Sequence, residues 1–313
     1  MLSDTSNEER TCMDSVSVAI PTYRRDRVLL DTIDHLLRLD PAPAEIIIVD
    51  QTQEHEPDVT RSLTDFQNAQ EIRWIRLSHP SITSAMNVAL QQACHDIVLF
   101  VDDDIIPGAD LIAAHARAHA PGGCNIVAGQ VLQPGEEPGR EEPKSVVFRF
   151  CSSRAQYISE LMGGNFSIKR RLALRLGGFD ENFVHVAYRF EAEFAARALA
   201  AGERLFFEAA ASIRHLKAAR GGTRSYGHHL TTIRPSHAVG AYYFLLISKN
   251  VSRRLLNLLS RPFNAVRTKH HLTHPWWIPA TLAAEIMGFV WALFLYLRGP
   301  RRLGRAQDPG RYL

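Results

Sequence analysis

The chain has 313 residues, 46% hydrophobic and 22% charged, an ordinary globular composition with room for one large domain, or one domain and an appendage. A formal net charge of +3 and a pI near 8.7 give no grounds to expect a nucleic-acid partner; much of the excess sits in Arg298, Arg301, Arg302 and Arg305. The four cysteines (Cys12, Cys94, Cys124, Cys151) lie far apart without a CxxC pair, which argues against a disulfide framework or a zinc knuckle and suits a reducing cytosol.

Residues 1–14 are polar with no apolar core, so they are expected to be a disordered lead-in rather than a signal peptide. Val16-Ser-Val-Ala-Ile20 is a β-branched run ended by Pro21. A helix follows with Val28, Leu29, Ile33, Leu36 and Leu37 on one face, stopped by Pro41 and Pro43. Glu45-Ile-Ile-Ile-Val-Asp50 reads as a strand buried on both faces. A polar helix to about Ala69, a strand over Ile72–Leu77, a helix over Thr83–Cys94 and a strand over Ile97–Val101 complete the series. This β-α-β-α-β-α-β order predicts a doubly wound, mostly parallel sheet. In such sheets ligands bind beyond the carboxyl ends of the strands. Those ends are Pro21-Thr22-Tyr23, Asp50-Gln51, Ser78-His79-Pro80 and Asp102-Asp103-Asp104.

Three adjacent carboxylates after an apolar strand repel one another unless a cation offsets them. Hard oxygen ligands suit Mg²⁺ or Mn²⁺, which bridge to phosphate. An acidic loop capping the next helix is the plain alternative.

The runs Val18-Ala-Ile-Pro-Thr-Tyr23, Ile48-Val-Asp50 and Phe100-Val-Asp-Asp-Asp104 are followed by Gly163-Gly-Asn-Phe-Ser167, Gly177-Gly-Phe-Asp-Glu181, Tyr188-Arg-Phe-Glu-Ala-Glu193 and His215. In this order and spacing they resemble the family-two glycosyltransferases over residues 15 to about 225. The resemblance implies a GT-A fold, with a nucleotide-binding half, an acceptor half and, in this chain, a C-terminal helical region over 226–313. It implies transfer of a sugar, with inversion, from a nucleotide-diphosphate sugar to a glycan or lipid-linked acceptor. It places Pro21, Thr22 and Tyr23 around the nucleobase, with Asp50 accepting a bond from the base. Asn87, Asp102 and Asp103 join the nucleotide-sugar site, and Asp102, Asp104 and His215 the metal, Mn²⁺ or Mg²⁺. For His215 an ordinary surface histidine is equally open. Gly163, Gly164 and Asn165 would form a donor- or acceptor-facing loop. Glu191 falls in the position of the catalytic base, in a register fixed by Arg197 and Gly202. The helix dipole alone would also explain Glu191 and Glu193 at a helix start. Met86 stands where many relatives carry arginine, and Phe190 where they carry an acid.

Beyond Ser225, histidines 228, 229, 237, 270, 271 and 274 are too irregularly spaced to read as a metal cluster. Gly240–Leu256 is apolar and helical in pattern. Trp276–Leu297 is 22 residues with one charge, Glu285. Its uncharged part, Ile286–Leu297, would be about 18 Å of helix against a hydrocarbon core of about 30 Å. Arginines flank both ends, so a helix lying on an anionic, cytoplasmic membrane face fits best; a span and a helix packed on the domain are the alternatives. A nucleotidyltransferase would be expected to carry a glycine-rich basic loop after the first strand, where Pro21-Thr-Tyr-Arg-Arg25 has no glycine. A non-catalytic sugar-nucleotide binder would account for Met86 and Phe190. A pure membrane scaffold would not need Asp102–Asp104 or Glu191.

Overall fold

The computed structural model describes residues 15–139, 148–248 and 251–304; the lead-in 1–14, with Cys12, lies outside the described residues, as does Arg305. The fold opens with β1 (Val16–Thr22), β2 (Glu45–Asp50), β3 (Arg73–Arg76) and β4 (Ile97–Val101). They are connected by α1 (Arg27–Leu37), α2 (Pro57–Asn68) and α3 (Ile82–Gln92). β1 continues through Pro21, where the sequence suggested a stop. Its pairing with β4 ends at Ala19, so the missing N–H of Pro21 breaks no ladder bond on that side.

Alternation along these strands builds two cores. Val16, Val18 and Ile20 face Leu29, Ile33 and Leu36 of α1, while Ala19, Ile47 and Val49 face Ala85, Met86 and Ala89 of α3. Both faces are therefore apolar, which is why β2 reads as an unbroken hydrophobic run.

Then come β5 (Ile105–Pro107), α4 (Leu111–Ala118), β6 (Ile126–Leu132), β7 (Gln156–Ile158), β8 (Asn165–Lys169), α5 (Arg170–Arg175), α6 (Phe190–Ala200) and β9 (Leu205–His215). Among the described residues the sheet order is β3-β2-β1-β4-β8-β6-β9-β5, with β7 on β9. The first four strands are parallel; β8 runs antiparallel to β4 and β6, and β5 and β7 antiparallel to β9. The parallel expectation thus holds for the first half, and the second half is mixed.

The C-terminal part holds α7 (Ala238–Ile247), α8 (Val251–Val266), α9 (Lys269–Thr273) and α10 (Ile278–Arg298). The single helix expected over Gly240–Leu256 is two, because Ser248 is extended after α7. Tyr242 and Tyr243 of α7 and Ala292 and Leu295 of α10 belong to the same core as β4 and α6. A Cβ on Gly288 would come within 2.5 Å of the Ala238 Cβ, so α10 and α7 meet at closest helix approach. These helices are joined to the sheet by a shared core.

Candidate functional site at the carboxyl ends of the strands

Topology brings the motif residues together. β8 starts where β4 ends, with Val101 opposite Asn165, which sets Gly163 and Gly164 beside Asp102. β9 ends where β5 begins, with Ile105 opposite His215, which sets His215 beside Asp104. A crevice of about 340 Å³ opens there. Pro21, Thr22, Tyr23, Asp102, Asp103, Asp104, Gly163, Gly164, Glu191 and His215 all line it.

The three aspartates have different surroundings. Asp104 is buried, accepts from the Ala218 N–H at 2.7 Å and lies 3.2 Å from His215 Nε2. Its pKa is lowered: burial opposes the shift, but His215 and Arg25 outweigh it. Asp102 is more open and lies 3.7 Å from the same nitrogen; burial raises its pKa. Asp103 turns inward, accepting from Thr22 Oγ1 at 2.8 Å and paired with Arg25 Nε at 3.1 Å. Burial pushes Asp103 up to about 7 against the pull of that arginine. Ligand atoms of Asp102, Asp104 and His215 lie within 4.8 Å of one another. The His215 Nδ1 faces Gln133 Oε1 at 3.0 Å and donates to it, so Nε2 points at the two carboxylates.

The glycine pair makes room for acids. A Cβ on Gly163 would sit 2.8 Å from Glu191 Oε1, and one on Gly164 2.5 Å from Asp102 Oδ2. Burial pushes Glu191 up to about 7; negative Asp102 adds to the rise, while backbone N–H groups and Arg189 oppose it. Glu193 faces away, held by Arg197 at 2.8 and 2.9 Å and by Arg302 at 2.8 Å.

Three expected residues do not reach the crevice. Asp50 is fully buried, with Oδ1 taken by the Thr52 N–H and Oδ2 by His55 Nε2 at 2.7 Å and Trp74 Nε1 at 2.9 Å. Asp50 does not line the crevice. Asn87 pins the Gly178–Phe179 turn through the Phe179 N–H and carbonyl. Asn165 donates to the Gln130 and Ala211 carbonyls and accepts from His115. Met86 is likewise a core side chain.

Sequence reasoning missed the roof. From Leu216 the chain folds back over the crevice, through a turn at Gly222–Tyr226. Arg25 holds it: its Nη2 reaches Asp104 at 3.4 Å while Nη1 donates to the Ala218 and Arg220 carbonyls. Arg224 joins the lining, and Tyr226 stacks on His185 at 4.9 Å. The crevice thus has two cations of its own where Met86 supplies none. The only signal for them was the arginine pair after Tyr23, read from sequence merely as the lack of a glycine loop.

Comparison with known proteins follows this geometry. The sequence profile described as "Glycosyl transferase family 2" matches residues 17–192. The validoxylamine A glucosyltransferase of Streptomyces hygroscopicus subsp. limoneus is 26% identical over 219 residues, 56% of this chain and 48% of that protein. The chain therefore spans about half the length of that curated relative. Among solved structures, S. aureus TarS 1–349 in complex with UDP-GlcNAc superposes with a TM-score of 0.56 at 17% identity, covering 91% of this chain and 92% of that one. The mannosyltransferase PcManGT of Pyrobaculum calidifontis, in complex with GDP-Man and Mn²⁺, gives 0.52 at 19% identity, over 91% and 79%. GalNAc-T7 with UDP, GalNAc and Mn²⁺ gives 0.59 at 12% identity, over 82% and 52%. These likenesses make the fold that of GT-A glycosyltransferases. With its profile match extending over more than half its length, the chain belongs to glycosyl transferase family 2.

Proposed function

We propose that the protein is a metal-dependent, inverting glycosyltransferase that moves a sugar from a nucleoside-diphosphate sugar to an acceptor hydroxyl. The observation that carries this reading is the meeting of Asp102, Asp104 and His215 with Glu191 in one crevice. The donor set fits a divalent cation, Mn²⁺ or Mg²⁺: two carboxylates and an imidazole already oriented by Gln133. Asp102, Asp104 and His215 would hold it. Bound there, it would supply positive charge against the diphosphate.

The chain's own residues supply the rest. Pro21, Thr22 and Tyr23 line the nucleotide end, Tyr23 and Tyr226 lying 6.5 Å apart with nearly parallel rings. Arg224 faces the phosphate end. Glu191 takes the proton of the acceptor hydroxyl as that oxygen attacks the anomeric carbon from the side opposite the leaving nucleotide, which inverts the configuration. A base raised to about 7 is matched to that work near neutrality. The nucleotidyltransferase alternative has no support in the loop after β1, which is occupied by Arg25.

The test is hydrolysis of a panel of nucleotide sugars with Mn²⁺ and with EDTA. Chelation, Asp102→Ala and Asp104→Ala should each abolish turnover while leaving thermal unfolding of the metal-free protein within a few degrees of wild type. Full activity in EDTA would overturn the metal reading.

The C-terminal helices support contact with an anionic membrane face on the cytoplasmic side. α8 turns Ser260 and Arg261 toward a cavity and leaves Leu255, Leu256, Leu259 and Phe263 exposed, with Asn257 and Asn264 exposed at the cavity's edge. α10 buries Thr281 and Glu285, the latter paired with Arg261 at 2.9 Å, and exposes Ile286, Val290, Phe294 and Leu297. The exposed apolar residues on both helices are more than a water-facing helix ordinarily carries. Trp276 is exposed at one end, and the exposed Arg298 lies at the other. Residues Pro275–Arg298 are long and apolar enough to cross a membrane, but the buried Glu285 and the shared core favour a helix lying on the surface.

A further inference from the structure

The cavity beside α8, of about 760 Å³, is divided from the crevice by one length of chain. His185, Val186, Phe190 and Glu191 line the crevice, and Tyr188 and Arg189 line the cavity. Within this wall His185, Ala187 and Arg189 all have positive φ, at 58°, 51° and 77°. Left-handed backbone is costly for residues other than glycine and persists only where the surroundings dictate it. α7 lies hard against the wall: a Cβ on Gly240 would sit 2.5 Å from the Tyr188 carbonyl oxygen.

At His185 that backbone serves a ring. The imidazole lies flat on Tyr226, with centroids 4.9 Å apart and 9° between the planes. Trp291 of α10 meets the same imidazole at 5.0 Å and 86°, edge to face. Its Nδ1 lies 3.0 Å from Oγ of the buried Ser236. Burial, with Arg234 nearby, holds its pKa below the usual value, so the imidazole is neutral near neutrality and two uncharged faces stack. The roof, α10 and the chain before α7 thus meet on one side chain.

Tyr226 carries this order into the crevice. It ends the turn at Gly222–Tyr226. The front of the roof is tied to the end of β1, where the Gly222 N–H donates to the Tyr23 carbonyl at 2.7 Å. The far end of the turn rests on His185. Tyr23 and Tyr226 both line the crevice, with ring centres 6.5 Å apart and 29° between the planes, close to twice the ~3.4 Å rise between stacked bases. A slot of that width takes one flat ring with a face on each tyrosine. Tyr226 lies beyond the residues 17–192 that match the family profile.

From this ladder of rings we infer that the donor's nucleobase is held between Tyr23 and Tyr226, and that His185, backed by Trp291 and Ser236, is the positioning residue that keeps Tyr226 at stacking distance. His185 acts through Tyr226 rather than on the reacting atoms. The inference rests on the nucleotide-sugar reading of the crevice.

The experiment measures binding of UDP, GDP, ADP, CDP and dTDP, each with Mn²⁺, to the full-length protein by calorimetry, with inorganic pyrophosphate and Mn²⁺ as the probe that lacks a base. His185→Asn is the informative variant, because asparagine tolerates left-handed backbone and keeps a polar atom for Ser236 but has no ring. It should weaken the nucleotide that wild type prefers by about three- to tenfold, the worth of a lost aromatic pair, and leave pyrophosphate within about twofold. Tyr226→Leu should weaken the nucleotide at least as much, and Tyr226→Phe, which keeps the ring, should restore it. His185→Asn added to Tyr226→Leu should cost nothing further, since the two act as one unit. In turnover His185→Asn should raise the donor KM by the same factor as the binding constant and leave kcat within about threefold. Equal loss of pyrophosphate, or a fall in kcat at unchanged KM, would make His185 a support of the whole wall and overturn the inference. So would nucleotide binding and hydrolysis indifferent to both His185→Asn and Tyr226→Leu, which would leave the proposed function standing. Ring-dependent nucleotide binding in a protein that hydrolyses no nucleotide sugar would strike the proposed function and leave the base slot standing. Wild type that binds none of the five nucleotides would overturn both.

Discussion

Glu191 and Glu193 sit two residues apart at one helix start, and their neighbours assign them opposite work. Glu191→Gln should lower transfer by about 10²–10⁴, the typical worth of a positioned base, with little change in unfolding temperature. Glu193→Gln should instead cost about 1.5–3 kcal/mol of stability, since it weakens charged bonds to Arg197 and Arg302, and should leave turnover nearly intact. With Glu191 as the proposed base and its pKa raised to about 7, the rate should climb with pH between about 6 and 8, a limb that Glu191→Gln removes. A second residue-scale consequence lies in α4. His119 Nε2 donates to Ser167 Oγ, Ser167 donates to His115 Nδ1, and His115 Nε2 donates to Asn165, a chain that requires the His115 imidazole neutral. Burial lowers His115 to about 4 and His119 to about 3. The unfolded chain, at the ordinary 6.5, binds more protons than the native one in between, so stability should be full above pH 6.5 and fall as pH drops from there toward 3. Denaturant midpoints at pH 7.5 and 5 should show the loss, and His115→Gln with His119→Gln should flatten it. The same network explains what the sequence hid. The aspartate run was marked out by residue type and position after a strand, and His215 and Glu191 by the family resemblance; all of them line one crevice. Asp50, Asn87 and Asn165 lie away from the crevice, bonded to His55, Trp74, Phe179 and His115, partners that only folding brings near.

At the scale of elements, β1, β2 and β4 were readable because each is a run buried on both faces and bounded by proline or polar turns, while the half-buried β3 shows only its apolar pair Trp74 and Ile75. β5 and β7, three residues each, carry no periodicity to detect. The roof over the crevice, from Leu216 through Tyr226, is irregular chain held by Arg25, and no pattern announces it. The packing of α10 on α7 was also out of reach, because apolar composition alone fits a core, a bilayer or both. That packing can be tested at its tightest point. Gly288→Leu would drive a side chain into Ala238, at a cost of about 1–3 kcal/mol typical of overpacking, and should lower the unfolding temperature. Gly299→Ala should not crowd anything, since nothing lies within 4 Å of a Cβ there, although its φ of +86° carries strain of its own.

Across the whole molecule the shared core changes what removal of the tail would do. Deleting α10 would uncover Tyr242 and Tyr243, so truncation should unfold or aggregate the protein and cannot by itself reveal a membrane role. Substitutions on the outward faces can. Leu259→Glu with Phe294→Glu, at 64% and 63% exposed positions, should keep the fold and abolish co-sedimentation with anionic vesicles at low salt, while wild type binds and is released by raised salt. Wild type that ignores such vesicles would make these faces a site for another protein. The wall of chain at 185–191 has one further consequence. It is thin, strained and shared, so its two faces cannot be deformed independently. If the left-handed backbone at His185, Ala187 and Arg189 has an alternative, each ligand shifts the balance by its own preference. Thermodynamic reciprocity then makes the factor by which donor alters affinity in the far cavity equal to the factor by which the far ligand alters affinity for donor. Whatever fills the far cavity must therefore be felt at the donor site, in the direction that its own preference for that backbone dictates.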